Sequence, residues 1–147
     1  EAQGGIFATR EFLIDATQWS VAFRAYADAA GRTPLFTLNV GGAYVLGDRS
    51  RDVAGAFEGV FPALFRRITA ESDAGAQMFA AMGCSLTVGV AKPLVSERCG
   101  FAPSQMEAMG EYDLVAIQDG RLFFGDRAGD LTRTRPTALT SYPLLRR

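Results

Sequence analysis

The sequence predicts a mostly β protein: an antiparallel barrel, a single domain over residues 1–147, with one short helix between about residues 72 and 83. Three observations carry that reading. Apolar residues alternate with period two through much of the first half, a two-residue Asp-Gly turn joins two apolar runs near the end, and a single stretch has helix caps at both ends.

Taken in order, "TQWSVAFRAY" places Trp19, Val21, Phe23 and Ala25 on one face and Gln18, Ser20 and Arg24 on the other. In "TPLFTLNVGGAYVLGD", Phe36, Leu38 and Val40 share a face opposite Thr37 and Asn39, and Gly41-Gly42 reads as a bulge or tight hairpin before Tyr44 and Leu46. "AGAFEGVFPALFRRIT" reads as a further extended pair, with Pro62 making its middle an edge or a bend. "ESDAGAQMFAAMG" is the helix: Ser72 or Asp73 is the N-cap and Gly83 the C-terminal cap. In "EYDLVAIQDGRLFFGD", Leu114, Ala116 and Gln118 alternate with Asp113, Val115 and Ile117. Asp119-Gly120 then supplies a type I′ turn, whose two central residues need positive φ. The tail "RPTALTSYPLLRR" is a loop or a last edge strand.

Composition removes several chemistries. The 147 residues are 48% hydrophobic and 21% charged, as in an ordinary globular chain long enough for its own core. A formal net charge of −1 offers no footprint for nucleic acid, and no apolar run reaches the roughly 18 residues a membrane-spanning helix needs. There is no histidine, so Ser-His-Asp and Cys-His catalysis, His-ligated zinc and His-ligated haem are excluded, and no metal or other cofactor is expected. Any general acid or base must be a carboxylate, Tyr, Cys, Lys or bound water. The turns "GDRSRD" and "GDRAGDLTRTR" lack calcium-loop spacing, and "GGAYVLG" does not sit in a βαβ unit as a nucleotide loop would.

Both cysteines, Cys84 and Cys99, lie in "GCSLTVGVAKPLVSERCG", bracketing two short strand-like pieces around Lys92-Pro93 at hairpin spacing. Two cysteines without histidine cannot complete a zinc site, and Glu97 and Arg98 push a thiol in opposite directions. The pair therefore reads as a disulfide, which at this loop length stabilises by roughly 3 kcal/mol in the chain-entropy account. A disulfide implies an oxidising compartment, so the expected location is secreted or periplasmic. The chain starts at Glu1 rather than Met, which a removed signal peptide or a trimmed start would each explain.

"EFLIDATQWSVAFRAYADAAGRTPLFTLNVGGAYVLG" resembles the opening of the APCDD domain, of the adenomatosis-polyposis-coli-down-regulated family of extracellular Wnt antagonists. The residues that carry the resemblance are Phe12, Leu13, Phe23, Tyr26, Pro34, Thr37, Leu38 and Gly42. "CGFAPSQMEAMGEYDLVAIQDGRLFFGDR" is similar to the family's closing section, most closely at Leu122 to Asp126, and order and spacing agree over roughly residues 9 to 137. Cys84 and Cys99 sit where the family has a bridged pair, but the family's further cysteines near the start are missing here, and one copy stands where the family has two. The resemblance implies a small antiparallel barrel of calycin or lipocalin type, half or full, holding a lipid or other apolar ligand. An Ala- and Gly-rich chain with one lysine among many arginines suggests a GC-rich genome, hence a single-copy bacterial homologue. Wnt inhibition is not carried over.

The candidate ligand-binding residues are Trp19, Phe23, Phe36, Tyr44, Phe61, Phe65, Arg66 and Tyr112. Inward aromatics line a pocket or simply fill the core. Trp19 stands out because its strand neighbours are small. Of the adjacent Arg66 and Arg67 one must turn inward; Arg66 shares parity with Leu64 and is the choice, to meet a ligand carboxylate or a buried Asp113 or Glu111. Glu111 and Asp113 share a strand face, where they form either a solvated rim or a pair with one raised pKa suited to general acid or base work. Two functions follow. One is an extracytoplasmic barrel that binds an apolar or lipid-like small molecule. The other is a cofactor-free cyclase or isomerase using Glu111, Asp113, Tyr112 or Tyr44. A barrel with a filled core and a purely structural role is the third reading, and an edge strand offers a route to a homodimer.

Overall fold

The computed structural model describes residues 2–3 and 5–146. Its elements, in chain order, are β1 (Ala2–Gln3), β2 (Ile6–Ile14), β3 (Gln18–Tyr26), β4 (Pro34–Ala43), β5 (Val45–Arg49), β6 (Ala56–Pro62), β7 (Phe65–Ala70), α1 (Asp73–Ala81), β8 (Lys92–Pro93), β9 (Gly110–Gln118) and β10 (Arg121–Phe124). The protein is mostly β, in two antiparallel sheets with one short helix, as the sequence predicts. The strand order is β1-β2-β3-β4-β7-β8 in one sheet and β10-β9-β6-β5 in the other. The chain forms two compact units, Glu1–Gly42 with Ala63–Ala108, and Ala43–Pro62 with Met109–Arg147.

In the first unit, β2 and β3 make a long hairpin in register from Phe7↔Tyr26 to Ile14↔Trp19. Its turn is held by Asp15, whose Oδ1 accepts from the amides of Thr17 and Gln18, both at 2.8 Å. Asp28 does the same service between β3 and β4, accepting from the amides of Ala30, Arg32 and Thr33 on either side of Gly31, which sits at φ +67°. The helix starts where expected: Ser72 Oγ accepts from Gly75 N at 3.2 Å and donates to Pro34 O at 2.7 Å, and Gly83 leaves the helix at φ +80°. Gly75 lies so close to the Leu35 carbonyl that α1 rests directly on the β4 backbone.

The core of this unit combines Ala25, Leu35, Phe36, Ile68, Phe79 and Leu94 with the disulfide. Phe36 meets Phe79 edge-on at 5.1 Å and lies 6.0 Å from Phe23 and 5.5 Å from Phe101. Cys84 and Cys99 are bonded with their Cα atoms 5.2 Å apart, both buried. The segment between them departs from the expected hairpin. Only Lys92–Pro93 is a strand, added to β7 opposite Arg67 and Ile68, and a single bridge joins Val88 to Ala70. Its backbone is tied to β7 where Gly89 N donates to Ala70 O and Leu94 N to Arg66 O. Val90 N donates to Thr87 O within the segment, and the amides of Gln105 and Met106 donate to the carbonyls of Leu94 and Val95.

Two more expectations need correction. Gly41-Gly42 is neither a bulge nor a hairpin but strand interior, β4 running on to Ala43 and breaking at Tyr44. The halves of "AGAFEGVFPALFRRIT" do break after Pro62, yet they are not partners: β6 pairs with β5 and β9, and β7 with β4 and β8.

In the second unit the Asp119-Gly120 turn has φ +50° and +72°, with Arg121 opposite Gln118, which is the two-residue hairpin expected. Ala56, Leu114 and Ala116 form a small core with Val53, Phe123 and Leu139. Tyr44 stacks on Phe61 at 5.8 Å, and Phe61 meets Phe124 edge-on at 5.6 Å. The tail runs beside β10 through the bridges Leu122↔Leu144 and Gly125↔Leu139. Strand β5 is an edge with all five residues exposed, and it takes up the Gly47, Asp48 and Arg49 that read as part of a turn. Among the described residues no helix is long and apolar enough to cross a membrane.

Candidate functional site

At one end of the six-stranded sheet, within the first unit, lies a cleft of about 450 Å³. Four strands contribute where they start or stop: Leu13 and Ile14 close β2, Gln18, Trp19 and Ser20 open β3, Gly42 lies near the end of β4, and Leu64 and Phe65 lead into β7. Asp15 from the β2–β3 turn completes the lining. Its carboxyl is held below the ordinary aspartate range, first by the Thr17 amide and then by the Gln18 amide, so it is ionised at neutral pH.

A glycine of β4 lets one wall of the cleft pack closely on the sheet. Gly41 pairs with Phe65, and a Cβ at position 41 would stand 2.7 Å from the Phe65 ring and 2.9 Å from the Trp19 carbonyl oxygen. The ring therefore rests against bare backbone at Gly41, and a side chain there would push it away. On its exposed side Phe65 carries the Arg67 guanidinium, 5.0 Å from the ring centroid. The chain's one tryptophan is thus in the wall of the cleft.

Of the residues singled out from the sequence, Trp19 and Phe65 meet at this cleft. Phe36 is packed in the core and Phe23 against it. Arg66 is buried on the face of β7 that also carries Ile68 and Ala70, while Arg67 is exposed on the other, as strand alternation requires. Tyr44, Phe61, Tyr112, Glu111 and Asp113 all belong to the second unit.

There the carboxylates share one face of β9 and one arginine. Arg127 donates to Glu111 Oε2 at 2.9 Å and stands 3.4 Å from Asp113 Oδ2. Asp113 is 2% exposed, and its Oδ1 accepts from the amides of Gly125 and Leu114, both at 2.7 Å. Burial raises its pKa, opposed chiefly by Arg127 and by the Gly125 amide. Gly125 has no space for a side chain, since a Cβ would fall 2.7 Å from Asp113 Oδ1 and run into the Pro136 ring. Arg135 crosses the same strands, donating to the carbonyls of Gly59 and Asp113, pairing with Glu58 at 3.4 Å and stacking over Tyr112. These contacts make Asp113 a tie between β9, β10 and the following loop, with its oxygens committed to amides and a guanidinium. Among the described residues no cluster of three or more His, Cys, Asp or Glu is placed to hold a metal ion.

Sequence reasoning missed Leu13, Ile14, Asp15, Gln18, Ser20, Gly42 and Leu64 as site residues. A signal existed. Phe12-Leu13-Ile14 and Leu64-Phe65 are runs of adjacent apolar residues, and in an alternating strand one member of each run must face away from the core. No family model matches the chain, and no curated protein matches it.

Proposed function

We propose that this protein binds an apolar or lipid-like small molecule, seated in the cleft between the β2–β3 turn and the start of β7. The observation that carries the reading is an open concavity, within the size range of small-molecule sites, whose walls are Leu13, Ile14, Trp19, Leu64 and Phe65 with few polar groups between them. Leu64 is 63% exposed and Leu13 71%, so apolar surface stands in water where a ligand would cover it. The disulfide supports placing this binder in an oxidising, extracytoplasmic compartment. The likeness to the APCDD domain belongs to the same proposal, as does pairing of two copies through the exposed edge β5.

The test is titration with N-phenyl-1-naphthylamine, read by the dye's emission and by quenching of Trp19. Saturable one-to-one binding, lost in Leu64→Asp and kept in Ile117→Asp on the second unit, is the expected result. Absence of saturable binding, or equal binding by both variants, overturns the reading.

A further inference from the structure

We infer that the cleft selects an amphiphile with a carboxylate head and a linear apolar tail, and that Arg67 is the residue that reads the head. The inference rests on the binding function proposed above and assigns its ligand class. Arg67 follows Phe65 by two residues in β7, so both point to the same exposed face of the sheet. Its guanidinium is stacked on the Phe65 ring, which is itself a wall of the cleft.

Arg67, like Arg49, Arg51, Arg121 and Arg146, lacks an ion pair among the described residues; what sets it apart is its place over Phe65, beside the residues that line the cleft. Arg24, Arg32, Arg98, Arg127, Arg133 and Arg135 each stand within ion-pair distance of an Asp or Glu. Among the described residues Arg67 has no such carboxylate, and its neighbours across the sheet are Asn39 on β4 and Pro93 on β8, both neutral. An always-charged planar fork, pre-ordered by an aromatic ring and lacking an internal acid, is complementary to a planar carboxylate.

The rest of the cleft gives the ligand a direction. Ionised Asp15 lies at the β2–β3 turn and repels an acid there, so the head belongs toward β7 and the tail toward Leu13 and Ile14. A cationic head is disfavoured at Phe65, because Arg67 already occupies a face of that ring. From the β2 end to β7 the cleft crosses strands spaced at about 4.8 Å, a span of roughly 10–14 Å, which suits an extended alkyl chain.

The experiment displaces the bound dye with laurate, methyl laurate or dodecylamine, each below its aggregation concentration. The proteins are the wild type, Arg67→Gln, Arg67→Lys and Asp15→Asn. Laurate should displace the dye more strongly than its methyl ester. Arg67→Gln should weaken laurate about tenfold and leave the ester unchanged, the size expected for one charge-assisted hydrogen bond. Arg67→Lys should recover part of the loss. The assignment to Arg67 is overturned if Arg67→Gln moves laurate and ester alike, or if dodecylamine is the tightest ligand and Asp15→Asn releases it. It also falls if laurate fails to displace a dye that does bind; in all of these cases the cleft remains a binding site. Failure of the dye itself to bind removes the proposed function, and this inference with it.

Discussion

Replacing Gly41 with alanine tests how the cleft is built. The added Cβ would sit 2.7 Å from Cε1 and Cζ of Phe65 and 2.9 Å from the Trp19 carbonyl oxygen. Carbon atoms rest at about 3.5–4.0 Å, so the ring must retreat by about 1 Å and the β3 backbone by several tenths. The ring alone could swing outward at small cost, but the Trp19 carbonyl is held in the sheet. Overpacking of this kind costs about 1–3 kcal/mol, and relief of glycine's backbone entropy returns about 0.5–1 kcal/mol, leaving a net loss of about 1–2 kcal/mol. In a domain of this size that lowers Tm by about 5 °C. Urea unfolding followed by Trp19 emission measures it, and dye binding should weaken in parallel because both aromatic walls shift. Combining Gly41→Ala with Phe65→Ala removes the ring clash, so the double variant should be about 1 kcal/mol more stable than the sum of the singles predicts. A neutral or stabilising Gly41→Ala, or strict additivity, would refute the account of Phe65 resting on bare backbone.

Three further outcomes follow from the same structure. Reducing Cys84–Cys99 should cost about 3 kcal/mol for its closed loop, seen as a lower urea midpoint with reductant, and the Cys84→Ser/Cys99→Ser variant should not respond to reductant at all. Asp113→Ala should cost about 3 kcal/mol at neutral pH, because the Gly125 amide and Arg127 lose a buried acceptor. Burial raises the folded-state pKa of Asp113, so its stabilising contribution is complete below the unfolded value near 3.8 and declines as pH rises through the raised value. Relative to wild type, Asp113→Asn should therefore gain stability with rising pH across that window; thermal melts of both proteins at matched pH show it, and a constant difference would contradict it. Gly120→Ala should cost about 1–2 kcal/mol at φ +72° while Gly120→Asn costs less, by thermal unfolding; equal effects would mean the turn is not the one described.

Much of the fold was legible because it is written in local, short-range physics. Ser72 and Gly83 mark the helix since only particular residues satisfy its orphan amides or adopt the left-handed exit. Asp119-Gly120 specifies its hairpin because both positions need positive φ. That one of Arg66 and Arg67 turns inward, and that Glu111 and Asp113 share a face, follow from alternation. That the inward one is Arg66 does not follow from its parity with Leu64, which is exposed, but from the face it shares with Ile68 and Ala70. Even the disulfide could be inferred by elimination among the chemistries open to two cysteines without histidine.

Partnering is where local reasoning stops. Nothing near Pro62 says that β6 and β7 enter different sheets, since strand pairing is chosen by contacts between segments far apart in the chain. Gly41-Gly42 reads as a turn by composition, yet serves as strand interior because an aromatic ring from β7 requires the space a side chain would take. Tertiary structure likewise sorted one set of candidate aromatics into three fates: Phe36 to the core, Tyr44 and Phe61 to a stack in the second unit, and Trp19 with Phe65 to the cleft. Periodicity tells which side of a strand a ring faces; what meets it there depends on strand order, register and where neighbouring strands end.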